Sequence, residues 1–215
     1  RNIGALLDPA AAEAPGRLAW NFFESGETAT YAALRDRVNA LANGMAAAGI
    51  GKGAHVGVML PNIAALPTTW LALARLGAVM IPMNIAYTPR EMSYVIENGD
   101  VEWLVIHEDC LESLAGLSPW PGRLTESRVV VVGDAARGLR PWSAFADGQR
   151  SDFTAAAAVA LDDRMNIQYT SGTTGFPKGC ILTHRYWLTI GKVAAWRDGR
   201  AFKRVLAATP FFYMD

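Results

Sequence analysis

Met165-Asn166-Ile167-Gln168-Tyr169-Thr170-Ser171-Gly172-Thr173-Thr174-Gly175-Phe176-Pro177-Lys178-Gly179-Cys180-Ile181-Leu182-Thr183-His184 sets two short apolar runs on either side of a polar, glycine-rich segment. Met165 to Tyr169 and Cys180 to Leu182 have strand length and strand composition. Between them, Gly172, Gly175 and Gly179 permit close backbone approach and leave N–H groups uncovered, so the segment can wrap an anion. Thr170, Ser171, Thr173 and Thr174 add hydroxyl donors, and Lys178 adds a mobile positive charge. This inventory suits a polyphosphate.

The ordinary P-loop does not fit. Counted from Gly172, its second Gly falls on Pro177 and its Ser/Thr on Gly179. A P-loop also opens a helix, whereas a second strand is expected here. A bare surface hairpin needs one or two glycines for its turn, not this length of hydroxyls closed by Pro-Lys-Gly.

The chain has 215 residues, 51% apolar and 19% charged, with 20 basic residues against 20 acidic ones. That is an ordinary globular composition, and its neutral balance gives no reason to expect nucleic acid or an anionic membrane as partner. Cys110 and Cys180 form no spaced pattern, which fits a reducing cytoplasm. Val56 to Ala74 carries no charge, but Pro61, Asn62, Pro67 and Thr68-Thr69 interrupt it, so strand, turn and buried helix are expected and not a membrane span. The start, Arg1, has none of the features of a secretory leader and need not be the natural N-terminus.

The rest of the chain reads as alternating elements. Ile3, Leu6 and Leu7 mark a short helix, and two runs around Ser25-Gly26-Glu27 a hairpin. Thr30 caps a helix with Leu34, Val38, Leu41, Met45 and Ala48 on one face, stopped at Gly49. A strand follows over 55–60, and 63–76 is apolar nearly all round, as in a helix buried against a sheet. Val79 to Pro82 is a strand. Thr88-Pro89-Arg90-Glu91 is a capping box opening a helix that Asn98-Gly99 stops. Strands over 103–106 and 129–132, a short helix over 110–117, a loose connection over 133–164, a helix from Thr183 to about Trp196 and a strand over 204–208 complete the reading. This order predicts an α/β fold with a largely parallel sheet flanked by helices.

The run from Tyr169 to Gly179 resembles, position for position, the phosphate-binding motif of the adenylate-forming, or acyl-activating, superfamily: acyl-CoA synthetases, aryl-CoA ligases, luciferases and peptide-synthetase adenylation domains. Other stretches resemble it in order. Thr30-Tyr31-Ala32-Ala33-Leu34 is similar to the opening of the family's first long helix, Gly49 to Val56 and Leu60-Pro61-Asn62 to its next turn and strand, and Leu76 to Asn84 to its Gly-Ala-Val…Pro-x-Asn motif. The resemblance implies the N-terminal portion of the large domain of such an enzyme. Residues 1–50 would pack toward a second sheet made mostly by sequence absent here, and 51–215 would form the α/β subdomain carrying the loop at 169–179.

The resemblance also implies ATP, Mg²⁺ and a carboxylate as reactants, an acyl-adenylate as intermediate and CoA as acceptor. Thr170, Ser171, Gly172, Thr173, Thr174, Gly175 and Lys178 would hold the phosphates, and no residue here is assigned to the metal. In Pro210-Phe211-Phe212-Tyr213-Met214-Asp215, Phe212 and Tyr213 would border the acid pocket, with Tyr213 where the family carries His. The family's Mg²⁺-placing Glu motif, its ribose-binding Asp motif and the catalytic Lys of its small domain have no match in the sequence. The chain by itself is therefore expected to be inactive, and to self-associate through surface that Leu34, Val38, Leu41 and Met45 would leave uncovered. A self-sufficient nucleotide-binding module and a non-catalytic interaction domain are the alternatives. His107-Glu108-Asp109-Cys110 reads as a solvated turn and not a metal site, because adjacent residues point different ways. His184 reads as first-turn structure.

Overall fold

The computed structural model of the protein describes residues 2–134, 138–170, 177–197, 199 and 204–213. Strands β1 (Leu18–Phe22) and β2 (Glu27–Thr30) form an antiparallel hairpin of their own. The remaining strands make one seven-stranded sheet: β3 (His55–Met59), β4 (Val79–Pro82), β5 (Trp103–His107), β6 (Val129–Val132), β7 (Arg140–Pro141), β8 (Arg164–Thr170) and β9 (Lys178–Thr183). Their order is β7-β6-β5-β3-β4-β8-β9, parallel throughout except for the β8–β9 pair. The expected α/β class with a largely parallel sheet is what the chain adopts.

Helices α1 (Leu7–Glu13), α2 (Tyr31–Ala47), α3 (Ala65–Leu76), α4 (Pro89–Asn98), α5 (Leu111–Ala115) and α6 (His184–Arg197) complete the fold. From β3 the chain moves to one side through α3 and then back past β3 through α4, which places these helices on opposite faces. The two larger cores, one on each face of the sheet, are divided by the period-2 alternation of the strands, and a smaller cluster joins Ile3, Ala74 and Met165. Val56, Val58, Met80, Trp103, Val105 and Val130 face α2 and α3. Met59, Ile81, Leu104, Ile106, Val129 and Val131 face α4 and α5.

Local signals explain the element ends. Thr30 Oγ1 accepts from Ala33 N at 3.2 Å at the start of α2. Thr88 and Glu91 form the reciprocal capping box of α4, and the two hydrogen bonds from Thr88 hold the Glu91 carboxyl below its usual range. Gly77 ends α3 in the left-handed region at φ 71°. At the end of α4 the left-handed residue is Asp100 (φ 51°), not Gly99. A Cβ on Gly99 would lie 2.8 Å from the Val95 carbonyl oxygen, so close packing accounts for that glycine.

Three expectations need correction. Residues 204–208 form no strand. They are exposed, and among the described residues no strand pairs with them, so their apolar composition lacks the ladder a strand requires. The connection over 133–164 is not plain loop: β7 adds an edge to β6, and a 3-10 turn over Trp142–Phe145 buries Phe145 against Trp103. Leu34, Val38, Leu41 and Met45 are not uncovered. They are 2%, 0%, 0% and 0% exposed, because α1, α3 and the 142–145 turn close over α2. Large apolar residues in solvent include Leu18 and Phe23 of the β1–β2 hairpin, and Ile181, Ile190, Val193, Trp196, Val205 and Leu206 on β9, α6 and the segment after it.

The uncharged run Val56 to Ala74 divides into β3, a turn and most of α3, and among the described residues no helix is long and apolar enough to cross a membrane. His107 Nδ1 accepts from Asp109 N at 3.3 Å, so this histidine caps a 3-10 turn at Glu108–Cys110.

A helix glycine usually costs about 1 kcal/mol relative to alanine. At Gly44, however, a Cβ would lie 1.6 Å from the Phe145 carbonyl oxygen. Gly44→Ala is therefore expected to destabilise the protein by about 1–3 kcal/mol, read as a lower urea midpoint. An unchanged or higher midpoint would show that the 142–145 turn yields freely.

Candidate functional site: the open end of the β8–β9 hairpin

β8 runs parallel to β4, so its C-terminal end lies at the same edge of the sheet as the ends of β3 and β4. In open α/β sheets that edge is where ligands bind. β9 returns antiparallel from it, with Thr170 opposite Lys178, Tyr169 opposite Gly179 and Gln168 opposite Cys180. Thr170 and Lys178, both exposed, therefore stand together at the mouth of the hairpin. Ser171, Gly172, Thr173, Thr174 and Gly175 fall between them in sequence and lie outside the described residues.

Below the mouth the hairpin is tied down. The Tyr169 hydroxyl donates to Asn98 Oδ1 at 2.7 Å, and the Tyr94 hydroxyl donates to the Pro177 carbonyl at 3.1 Å. The two rings meet edge to face at 6.5 Å. Burial, with Tyr94, Tyr87 and Asp100 nearby, pushes the Tyr169 phenol up to about 12. It remains a proton donor across any ordinary pH. Gly179 admits the ring: a Cβ there would sit 2.8 Å from Ile167 Cγ2 and 3.2 Å from Tyr169 Cζ.

The segment after α6 reaches the same region. Asn62, in the Leu-Pro-Asn turn after β3, donates through Nδ2 to the Thr209 carbonyl at 2.9 Å and accepts from Phe211 N at 2.7 Å. Gln168 Nε2 donates to the Phe212 carbonyl at 2.7 Å. Phe212 is buried, and the side chain of Tyr213 lies outside the described residues. Next to them, Leu66, Pro67, Trp70, Trp187, Pro210 and Phe211 are among the residues lining an apolar cavity of 230 Å³. A larger cleft of 580 Å³, lined in part by Ile3, Leu6, Leu71 and Leu188, shares Trp70 and Trp187 with it, and these two rings pack edge to face at 5.5 Å.

His184 is fully buried, and its Nδ1 accepts from Ile3 N at 3.4 Å. Desolvation lowers its pKa, partly offset by Asp163. It secures the N-terminal turn to α6 and does not face the hairpin mouth. The tethers from Tyr94, Asn98, Asn62 and Gln168 escaped sequence reading. The only local hint is the four-residue spacing of Tyr94 and Asn98, which puts both on one side of α4.

This architecture is that of the N-terminal portion of the large domain in adenylate-forming ligases. The chain belongs to the family of AMP-binding enzymes, whose sequence profile matches residues 7–214. It is 32% identical over 189 residues to a medium/long-chain-fatty-acid–CoA/3-oxocholest-4-en-26-oate–CoA ligase of Mycobacterium marinum, covering 85% of this chain and 34% of that protein. It is 28% identical to a crotonobetaine/carnitine–CoA ligase of Citrobacter koseri, covering 100% of this chain and 43% of that protein. Among solved structures, the inhibitor-bound N-terminal domain of FACL13 from Mycobacterium tuberculosis superposes with a TM-score of 0.83 at 26% identity, covering 99% of this chain and 52% of that one. A long-chain-fatty-acid–CoA ligase from Archaeoglobus fulgidus gives 0.81 at 26% identity, with 99% and 43% covered. The chain spans about two-fifths of the length of these curated relatives.

The buried phenol has a consequence at high pH. From pH 10 to about 12 the unfolded Tyr169 loses its proton while the folded one keeps it, so this group's contribution to stability is full below pH 10 and declines as pH rises through that window. Tyr169→Phe lacks the decline and gives up the hydrogen bond to Asn98, whose exposed amide can turn to water, a cost of about 0.5–1.5 kcal/mol at neutral pH. Denaturation of both proteins from pH 8 to 12 should show their stability gap narrowing above pH 10; a constant gap would overturn this account.

Proposed function

We propose that this chain is the phosphate-binding part of an ATP-dependent, AMP-forming carboxylate–CoA ligase. The observation that carries the reading is the pairing of Thr170 with Lys178 across the mouth of a hairpin at the C-terminal edge of a parallel sheet, in a chain of the AMP-binding family. A hydroxyl and an ammonium on opposite strands, flanking Ser171 to Gly175, suit the β- and γ-phosphates of ATP.

In the first half-reaction a carboxylate oxygen attacks the α-phosphorus in line. The new C–O–P bond forms as the bridging P–O bond to the β-phosphate breaks, and pyrophosphate leaves with the electron pair. Lys178, Thr170 and the intervening hydroxyl and N–H groups stabilise the charge that builds on pyrophosphate. None of them acts as nucleophile. In the second half-reaction the CoA thiol displaces AMP from the acyl-adenylate. Mg²⁺ would supply charge compensation for the phosphates of ATP, and none of the described residues is assigned to it.

Phe212 and Tyr213 are proposed to border the acid, with the neighbouring apolar cavity supporting an acid that is itself apolar. Residues 1–50 and 51–215 are proposed as two parts of one large domain. The two thiols, one buried and one exposed, support a cytoplasmic location.

In the complete enzyme, Lys178→Ala removes a charge-assisted phosphate contact worth about 1.5–3 kcal/mol. Carboxylate-dependent exchange of labelled pyrophosphate into ATP should fall roughly ten- to a hundredfold, while CoA thiolysis of preformed acyl-adenylate changes little. Equal losses in both would remove Lys178 from the pyrophosphate site. The 215 residues alone are expected to give no exchange in the same assay, since the remaining catalytic motifs are not in this sequence.

Those 215 residues alone are also proposed to self-associate, through the apolar face of β9 and α6 and not through α2. Burying even ~400 Å² there would contribute about 10 kcal/mol before association costs. Sedimentation should show mass rising with concentration, and Val193→Glu with Trp196→Glu should abolish the rise. A strictly monomeric chain would refute the proposal.

A further inference from the structure

Helix α4 has two working faces. Met92, Val95 and Ile96 are fully buried against the sheet, and the Thr88–Glu91 capping box secures the first turn. The helix is therefore a fixed part of the core. Tyr94 and Asn98, one turn apart, rise from another side of it, and both reach the β8–β9 hairpin.

What they grip is specific. The Asn98 contact is to Tyr169, the residue before Thr170 on the outgoing strand. The Tyr94 contact is to the carbonyl of Pro177, the residue before Lys178 on the returning strand. Each foot of the loop is thus held one residue from a proposed phosphate contact, from a single rigid helix. The edge-to-face contact of Tyr94 and Tyr169 braces one tether against the other. An ordinary buried tyrosine also finds a hydrogen-bond partner. Two tethers from one helix to the two strands of one hairpin, each next to a functional side chain, go beyond simple satisfaction of polar groups.

We propose that Tyr94 and Asn98 are positioning residues for adenylation: they fix the distance and register between Thr170 and Lys178, so that these two side chains meet the triphosphate as a preset pair. This rests on the phosphate reading of residues 169–179. Held groups of this kind act through geometry, and small displacements of a positioned group cost large factors in rate. The hydroxyl of Tyr94 carries its share of the role, since Tyr94→Phe keeps the ring and removes the donor to Pro177. Asn98→Leu keeps the branched shape and removes the acceptor for Tyr169.

The test uses the complete enzyme carrying this chain, with Lys178→Ala as reference. Tyr94→Phe and Asn98→Leu are each expected to lower ATP–pyrophosphate exchange about fivefold, the worth of one neutral hydrogen bond, and to raise the KM for ATP. Thiolysis of preformed acyl-adenylate stays within about twofold, the scatter expected where no contact is lost. Tyr169→Phe combined with Asn98→Leu should lose no more than either change alone, because both cut the same bond. Hydrogen exchange at the amides of 165–170 and 178–183 should quicken in the single variants, while the strands β3 and β5 keep the parent's protection. If Lys178→Ala lowers exchange and both α4 variants do not, the positioning proposal falls and the phosphate reading stands. If Lys178→Ala has no effect, the phosphate reading falls and this proposal with it. Losses shared equally by both half-reactions, with faster hydrogen exchange throughout the sheet, would mark Tyr94 and Asn98 as stabilising residues only.

Discussion

Strand β8 has unlike neighbours, and the organisation of the molecule depends on that. β4 pairs with it in parallel and β9 in antiparallel. A parallel partner obliges the chain to arrive by a long crossover, whereas an antiparallel partner lets it leave through a short connection. Both conditions meet on one strand, so Thr170 and Lys178, on either side of the glycine-rich segment, fall at the C-terminal edge of a parallel sheet. Asn166, fully buried in β8, accepts from Trp70 Nε1 at 3.0 Å and donates to the Met80 carbonyl at 3.4 Å. An unpaired amide would be costly there; paired, it joins α3 and β4 to the strand that carries the loop.

The crossover that delivers β8 is the segment composition makes loosest. It leaves the far edge at β7 and ends at β8, passing β6, β5, β3 and β4. Side chains from earlier in the chain hold it. Asn39 donates to the Ser151 carbonyl, Asn43 to those of Arg150 and Asp152, and Lys52 to that of Ala158 while pairing with Asp163 at 2.7 Å. Irregular backbone needs partners for its carbonyls, and amide and ammonium groups of α2 and the turn after it supply them. The buried Arg75, paired with Asp8 at 2.6 Å, closes the N-terminal turn over the same layer.

The same device recurs at the site. Asn62 holds 209–211, Gln168 holds Phe212, and Tyr94 and Asn98 hold the hairpin. Gln168 and Tyr94 lend a polar side chain from a regular element to irregular backbone, Asn62 does so from a turn, and Asn98 takes the Tyr169 hydroxyl. Segments as rich in glycine and small hydroxyl residues as 171–175 bring few large side chains to a core. Their placement then depends on contacts made just outside them.

Much of this was legible in the sequence because it is decided locally. Thr30 and the Thr88–Glu91 box mark helix starts through hydrogen bonds three residues long. Gly77 marks a helix end through its own φ, the valines of 129–132 mark a strand buried on both faces, and Tyr169 to Gly179 mark the family. Interactions of longer range were not legible. The strand order, the burial of α2 beneath the 142–145 turn, and the failure of 204–208 to become a strand each depend on which surface is nearby, and an apolar pattern only says that some surface is needed. The tethers from Tyr94 and Asn98 are of the same kind. A tyrosine four residues before an asparagine on a helix has no assigned partner until the sheet brings β8 and β9 within 3.1 Å of their polar atoms. Sequence determined what the loop is made of, and only the tertiary structure decided what holds it.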